Sequence, residues 1–244
     1  MHQILFGPFH SRRLGISLGI NLVPGKLCSL DCVYCEAGRT DKLTLRRKEY
    51  IPAGKIKEAL ANYFENEPDP DYFTFSGKGE PTLNTNIGEI IHFIKAHKPS
   101  VPVAVLTNGT TLFFKDVRES LYEADVVLPS LDAVSQKIFE KINGPVKWLK
   151  TDKIIQGISD FSREFKGKIW LEIFILPGYN DTEEELKAFN EAVKKIRTHK
   201  VHLNTLDRPG TRADLRAASK EEMRRAAGFF DFDHVEIIAS RYSL

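Results

Sequence analysis

Apolar positions along the chain alternate between two periods. From Leu14 to Leu22 the residues Ile16, Leu18, Ile20 and Leu22 recur at every second place, which predicts a strand. After a long irregular stretch, Ile56, Leu60, Tyr63 and Phe64 recur at helical spacing, and two prolines between Glu65 and Asp71 stop that helix. The same grammar then repeats. Further strands are predicted at Tyr72–Phe75, Val101–Leu106, Val126–Leu131, Ile169–Leu176 and Val201–Leu206. Helices are predicted around Ile87, Ile90, Ile91 and Ile94, over Asp116–Glu123, around Ile154, Ile155, Ile158 and Phe161, over Thr182–Ile196 and over Ser219–Gly228. Thr182 with Glu185 three places on has the form of a capping box. A short strand at Val235–Ile238 is the last predicted element.

Six strands each followed by a helix predict a parallel sheet with helices outside it. A complete eight-unit barrel takes about 250 residues, and a loop over residues 24–50 occupies part of these 244. The expected fold is therefore α/β, a partial (β/α)6 TIM-like barrel with outer helices and a short C-terminal strand, in one domain over residues 1–244. An open doubly wound sheet is the alternative. In both, chemistry belongs at the C-terminal ends of the strands.

Composition sharpens this at one place. A hydrophobic share of 42% and an aromatic share of 10% exclude a disordered or collagen-like chain. No run of about 18 apolar residues occurs, so no membrane-spanning helix is expected. Met1–Pro8 lacks a basic stretch followed by an apolar core, so a cytoplasmic protein is expected. The three cysteines, Cys28, Cys32 and Cys35, are the informative residues, because all lie in one short loop directly after the first strand. An odd number cannot close into internal disulfides. The spacing C-x3-C-x2-C suits soft-metal chemistry. A structural zinc site wants four ligands and would need to borrow one, such as His10. Three thiolates can instead hold three irons of a [4Fe–4S] cube and leave the fourth open. Spacing alone admits both.

The residues around the cysteines carry a resemblance. The loop, with Tyr34 before the last cysteine, resembles the cluster loop of radical S-adenosylmethionine (SAM) enzymes. Phe75-Ser76-Gly77-Lys78-Gly79-Glu80-Pro81-Thr82 resembles the "GGE" motif of that superfamily, with Lys78 between the glycines. The resemblance implies a [4Fe–4S] cluster on Cys28, Cys32 and Cys35, and the methionine amino group of SAM against Gly77, Gly79 and Glu80. It further implies ribose and carboxylate contacts from Thr107, Asn108, Ser130 and Asp132. Adenine would then lie near Phe174–Thr182, with Asn204, Thr205 and Leu206 closing its far side and Tyr34 beside the cofactors. Phe6–Gly15, Gly19–Pro24 and Cys35–Thr40 are similar to the Fe–S oxidoreductases grouped with wyosine-forming, tRNA-modifying enzymes. With no cysteine to spare an auxiliary cluster is not expected, and with no length to spare a flavin domain is not expected.

What this implies is a minimal radical SAM enzyme. One electron from a donor of the reduced flavodoxin or ferredoxin type would cleave SAM to methionine and a 5′-deoxyadenosyl radical, which abstracts hydrogen from substrate. The protein would position the reactants and exclude water and oxygen. No catalytic side chain is singled out; Tyr34 and Tyr179 are conceivable hydrogen donors that packing explains better. A radical-installing activase of a partner protein is a second reading, and a non-catalytic metal- or cluster-binding module is a third. The overall charge is only +2, yet Lys194–Arg225 holds ten basic residues against four acidic ones, with Arg46-Arg47-Lys48 as a second cluster. That fits tRNA or another phosphate-bearing substrate, and equally a solvated helix face. Arg208 is the residue expected to meet an anionic group. A monomer is expected.

Overall fold

The computed structural model describes residues 3–238. Strand β1 (Leu5–Ser11) turns through Arg12–Leu14 into β2 (Gly15–Ile20), the strand predicted from Ile16, Leu18 and Ile20. A two-residue pair, β3 (Leu27–Cys28) and β4 (Lys42–Leu43), draws the cysteine loop closed. There follow α1 (Ala53–Asn66), β5 (Tyr72–Phe75), α2 (Ile87–His97), β6 (Val103–Thr107), α3 (Lys115–Ser120) and β7 (Val126–Pro129). The connection to β8 (Lys168–Phe174) holds two helices, α4 (Gln136–Asn143) and α5 (Thr151–Glu164). Then come α6 (Glu183–Val193), β9 (Lys200–Asn204), α7 (Lys220–Ala227) and β10 (Val235–Ile237).

Eight of the strands form one sheet in the order β1-β2-β5-β6-β7-β8-β9-β10. All neighbours from β2 to β10 are parallel, and only β1 runs antiparallel, against β2. This is the partial barrel of six strand–helix units, with a hairpin strand added at one edge. Pattern reading passed over β1 because Pro8 interrupts it, and the ladder slips between Phe6 and Phe9. It also passed over α4, which is eight residues long and has only Ile138, Phe139 and Ile142 to mark its apolar side.

Alternation along each strand separates two environments. Leu18, Ile20, Phe73, Phe75, Val103, Val105, Ile169, Leu171, Ile173 and Leu203 pack outwards with Ile56, Leu60, Ile90, Ile94, Ile158 and Phe189 of the helices, all buried. The opposite positions point into the barrel. There Leu14, Ala104, Val126, Leu128 and Trp170 make a small apolar floor, and above it the interior turns polar. Ser17 Oγ and Thr74 Oγ1 share a hydrogen bond of 2.6 Å, and Arg13, carried in by the hairpin turn, forms an ion pair with Glu172 of β8.

Thr182 caps α6 by accepting from Glu185 N–H at 3.3 Å, but the reciprocal half of the capping box is absent. The Glu185 carboxylate instead accepts from the N–H groups of Val134 (2.6 Å) and Ser135 (3.0 Å), joining α6 to the approach of α4. The reciprocal box forms at α7, between Ser219 and Glu222.

Candidate active site at the cysteine loop

Four segments distant in sequence hold the cysteine loop. Glu80 N–H donates to Leu27 O at 3.0 Å, so the Gly77–Glu80 turn lies flat against the chain leading into Cys28. Two glycines make this approach possible. Gly77 has φ +132°, and a Cβ there would lie 2.8 Å from Asn21 Oδ1; a Cβ on Gly79 would collide with Leu27 O. From the β6 end, Asn108 Nδ2 donates to Cys28 Sγ (3.3 Å), and Thr110 Oγ1 pairs with Ser29 Oγ (2.6 Å). From the end of α4, Asn143 Nδ2 donates to Cys32 Sγ at 3.3 Å. Beyond β9, Thr211 donates through N–H (3.0 Å) and Oγ1 (2.9 Å) to Val33 O.

Glu80 is buried and ties its own turn to the end of β6. Its Oε1 accepts from Thr82 N–H (3.1 Å), Thr82 Oγ1 (2.6 Å) and Thr107 Oγ1 (2.7 Å), while Oε2 accepts from Asn108 N–H (2.8 Å). Burial pushes its pKa up and the four hydrogen bonds pull it back. A carboxylate oxygen can accept about two hydrogen bonds, so only Oε2 retains room for another donor. Asp132 is also turned inwards. It accepts from the Tyr34 hydroxyl, from Asn143 Nδ2 (2.9 Å) and from Phe174 N–H (3.3 Å). Burial raises the pKa of Asp132, and burial followed by the Asp132 charge raises that of Tyr34. Tyr34 stacks on Phe174 with ring centroids 4.0 Å apart and belongs to an apolar wall with Leu176 and Leu206.

The sequence-selected residues therefore converge. Cys28, Cys32, Cys35, Tyr34, Gly77, Gly79, Glu80, Thr107, Asn108 and Ser130 all line one cavity of about 280 Å³ at the strand ends, together with Arg13 and Glu172. Asp132 lies behind it, and Leu206 stands on the apolar wall. Ser76, Gly77, Lys78 and Cys35 continue into a wider recess of about 690 Å³. Pattern reading missed Asn21 and Asn143. Asn21 Oδ1 is buried without a hydrogen-bond partner at the edge of that recess. A polar residue at the C-terminal end of the strand predicted over Leu14–Leu22 was the available signal. Asn143 had none, because the contact that matters spans 111 residues.

Burial pushes the Cys28 thiol up to about 12, with nearby Glu80 adding to the effect. Burial and then Asp132 push Cys32 up as well, against the donation from Asn143. A bound metal cation reverses this preference, so loading releases protons. Among the described residues no group of three or more His, Cys, Asp or Glu closes round one point as a single ion requires. Ligands of a cubane bind separate irons, so the donor set, soft sulfurs with amide N–H groups on two of them, suits an iron–sulfur cluster.

Comparison with known proteins identifies the class. The profile of the Radical SAM superfamily matches residues 22–190. The chain belongs to that superfamily of enzymes. It is 38% identical over 227 residues to a Brachyspira hyodysenteriae protein named GTPase Obg, covering 93% of this chain and only 33% of that one. It is 36% identical over 230 residues to a UPF0026 protein of Methanocaldococcus jannaschii, covering 93% of this chain and 71% of the relative. Among solved structures, TYW1 with a lysine-pyruvate adduct bound superposes with TM-score 0.62 at 17% identity, over 87% of this chain and 72% of that one. A radical SAM methyltransferase from Sphaerobacter thermophilus gives TM-score 0.71 at 15% identity, over 91% of this chain and 65% of that one. These two likenesses show the fold. No helix among the described residues is long and apolar enough to cross a membrane.

Proposed function

We propose that this protein binds a [4Fe–4S] cluster on Cys28, Cys32 and Cys35 and, once reduced by an electron-carrier protein, cleaves SAM to a 5′-deoxyadenosyl radical that takes hydrogen from a substrate. The observation that carries this is the convergence of all three cysteines and the Gly77–Glu80 turn on one cavity.

The chain's own residues then have distinct tasks. Asn108 and Asn143 donate to two of the cysteine sulfurs, which favours their anionic form. The ammonium of SAM is met by the free lone pair of Glu80 Oε2 and by the unpartnered Asn21 Oδ1, both acceptors next to the glycine turn. Ser130 supplies a hydroxyl for the ribose or carboxylate, while Thr107 and Asn108, whose side chains are already committed to Glu80, Cys28, Ser29 and Thr110, shape that side of the cavity. Tyr34 with Phe174, Leu176 and Leu206 forms the apolar wall for adenine. Asp132 acts as a positioning residue, since it already accepts from Tyr34, Asn143 and Phe174.

The substrate enters beside the hairpin turn. A neighbouring recess of about 210 Å³ is lined by Arg12, Arg13 and Arg208, with Glu36 and Asp207 as counter-charges. Each of these arginines is already paired, Arg12 with Asp207, Arg13 with Glu172 and Arg208 with Glu36, so a small substrate phosphate or carboxylate here would compete with Asp207 and Glu36 for Arg12 and Arg208. A long polyanion is less favoured by Lys194–Arg225, where five of the ten basic residues already form ion pairs: Lys194, Lys200, Arg208, Arg212 and Arg216. The test is anaerobic reconstitution with iron and sulfide, followed by SAM and dithionite. Iron–sulfur absorbance near about 400 nm and release of 5′-deoxyadenosine are expected, with both lost in Cys32→Ala. Cleavage surviving that substitution would refute the assignment. Comparing the rate with tRNA, peptides and small anionic metabolites added identifies the substrate class.

A further inference from the structure

Two of the segments hydrogen-bonded to the cysteine loop run on into the same stretch of exposed surface. Asp31 N–H donates to Asn143 O (2.8 Å) and Gly144 O (3.2 Å), Val33 N–H to Ile142 O (2.9 Å), and Val146 N–H to Ser29 O (3.1 Å). Immediately beyond Val146 come Lys147, Trp148 and Lys150, all exposed. The loop after β6, anchored through Asn108 and Thr110, runs on to Phe113 and to exposed Phe114, their ring centroids 4.2 Å apart. Lys153 in the first turn of α5 joins the two stretches, its Nζ lying 5.8 Å from the Phe113 ring centroid.

Trp148 is the unusual residue. It is 63% exposed, more than any other large apolar side chain described. It is also the one described non-glycine residue with positive φ, +69°. A bulky side chain strains the backbone in that region. Neither packing nor turn geometry calls for a large aromatic at this position, since glycine or asparagine would make the turn with less strain. Lys147, Lys150 and Lys153 take part in no ion pair among the described residues, unlike half of the basic residues in Lys194–Arg225. Their charge is available to a partner. An exposed aromatic flanked in the chain by the uncommitted Lys147 and Lys150, with Lys153 one helical turn further on, has the make-up of a transient, electrostatically steered protein interface.

We propose that this surface, centred on Trp148 and including Lys147, Lys150 and Lys153, is where an acidic one-electron carrier protein docks to reduce the cysteine-loop site. The inference rests on the reading that the three cysteines hold a redox cluster. In the step the carrier loses one electron and the cluster gains it, with no bond made or broken. The surface is coupled to the cysteines by the hydrogen bonds from Val146 to Ser29 and from Asn143 to Cys32 Sγ. Negative charge on the carrier would meet the lysines and raise the encounter rate at low salt.

The test uses the reconstituted holoenzyme and two reductants in parallel, reduced flavodoxin and dithionite, with 5′-deoxyadenosine as the readout. Lys147→Glu/Lys150→Glu should slow the flavodoxin-driven reaction at low salt by about tenfold or more and remove its salt dependence. The dithionite-driven rate should stay within about twofold. Trp148→Ala should lower the flavodoxin rate alone in the same way, and Lys147→Arg/Lys150→Arg should retain it. An undiminished flavodoxin rate in the charge-reversed variant, or equal loss with both reductants, overturns the docking surface. Failure of the unsubstituted protein to cleave SAM with dithionite refutes the cluster reading itself, which separates the two failures.

Discussion

Asn143, the last residue of α4, donates through its side-chain amide to Cys32 Sγ at 3.3 Å and to Asp132 Oδ2 at 2.9 Å. One side chain thus links a cysteine of the loop to the end of the β7 strand, where Asp132 in turn receives the Tyr34 hydroxyl. Hydrogen bonds to sulfur stabilise the more negative, reduced form of a cluster. Asn143→Leu should therefore move the reduction potential of the reconstituted centre to more negative values, read by potentiometric titration with electron paramagnetic resonance. Iron content should fall as well, because the loop loses a tether. An unchanged potential would mean that the sulfur contact has no electrostatic effect on the centre.

Gly79 lies where any Cβ would strike the carbonyl oxygen of Leu27. Gly79→Ala should push the turn off the chain leading into Cys28 and cost about 1–3 kcal/mol, measurable as a lower urea midpoint. Cluster loading should drop in parallel. Lys78→Ala, between the same glycines, should leave the urea midpoint unchanged, because Lys78 is exposed.

Arg13 and Glu172 form an ion pair inside the barrel, with side chains only 13% and 17% exposed. Burial, with neighbouring Arg12 adding repulsion, lowers the Arg13 pKa to about 10, so it remains charged near neutrality. Removing one partner leaves an uncompensated buried charge. Arg13→Met and Glu172→Leu should each cost about 3–5 kcal/mol, while the double variant should recover most of that loss. Additive losses in a double-mutant cycle would show that the two charges do not compensate each other.

His202 is buried in β9 beside Trp170, with Glu236 3.4 Å from Nε2. Burial, reinforced by Arg13, lowers its pKa to about 4 despite the attraction of Glu236. An unfolded histidine titrates near about 6.5, so between about pH 6.5 and 4 the unfolded chain binds more protons than the folded one. Stability contributed by neutral His202 is complete above that window and is lost as pH falls through it, by at most about 3 kcal/mol. His202→Gln should flatten the fall in melting temperature across this range. A slope unchanged by the substitution would assign the loss to other groups.

Most of the β/α frame was legible because each buried strand and helix advertises its own period. Ile16, Leu18 and Ile20 mark β2 through local alternation, and Ile87, Ile90, Ile91 and Ile94 mark α2 through local helical spacing. Four elements escaped because their signal is weak or broken: β1, interrupted at Gly7-Pro8, the two-residue strands β3 and β4, and the eight-residue α4. Glu185 shows a subtler limit. Its spacing from Thr182 satisfies a local capping rule, but a stronger claim came from Val134 and Ser135, 51 and 50 residues away in sequence. Local rules hold until a distant donor offers better geometry.

By itself the sequence determined the chemistry available: three thiols within one short loop, a glycine turn after the second predicted strand, and polar residues at the later strand ends. Residue type and short-range spacing suffice for that, because ligand softness and backbone freedom belong to individual residues. Only the tertiary structure decided which of those groups remain free to act. It turned Asp132 towards Tyr34 and Asn143, crowded Glu80 Oε1 with donors from Thr82 and Thr107, and left Asn21 Oδ1 unpartnered. It also set strained Trp148 on the surface behind Ser29. The physical reason is that each donor and acceptor position can be filled only once, and which partner fills it depends on residues brought together from far apart along the chain.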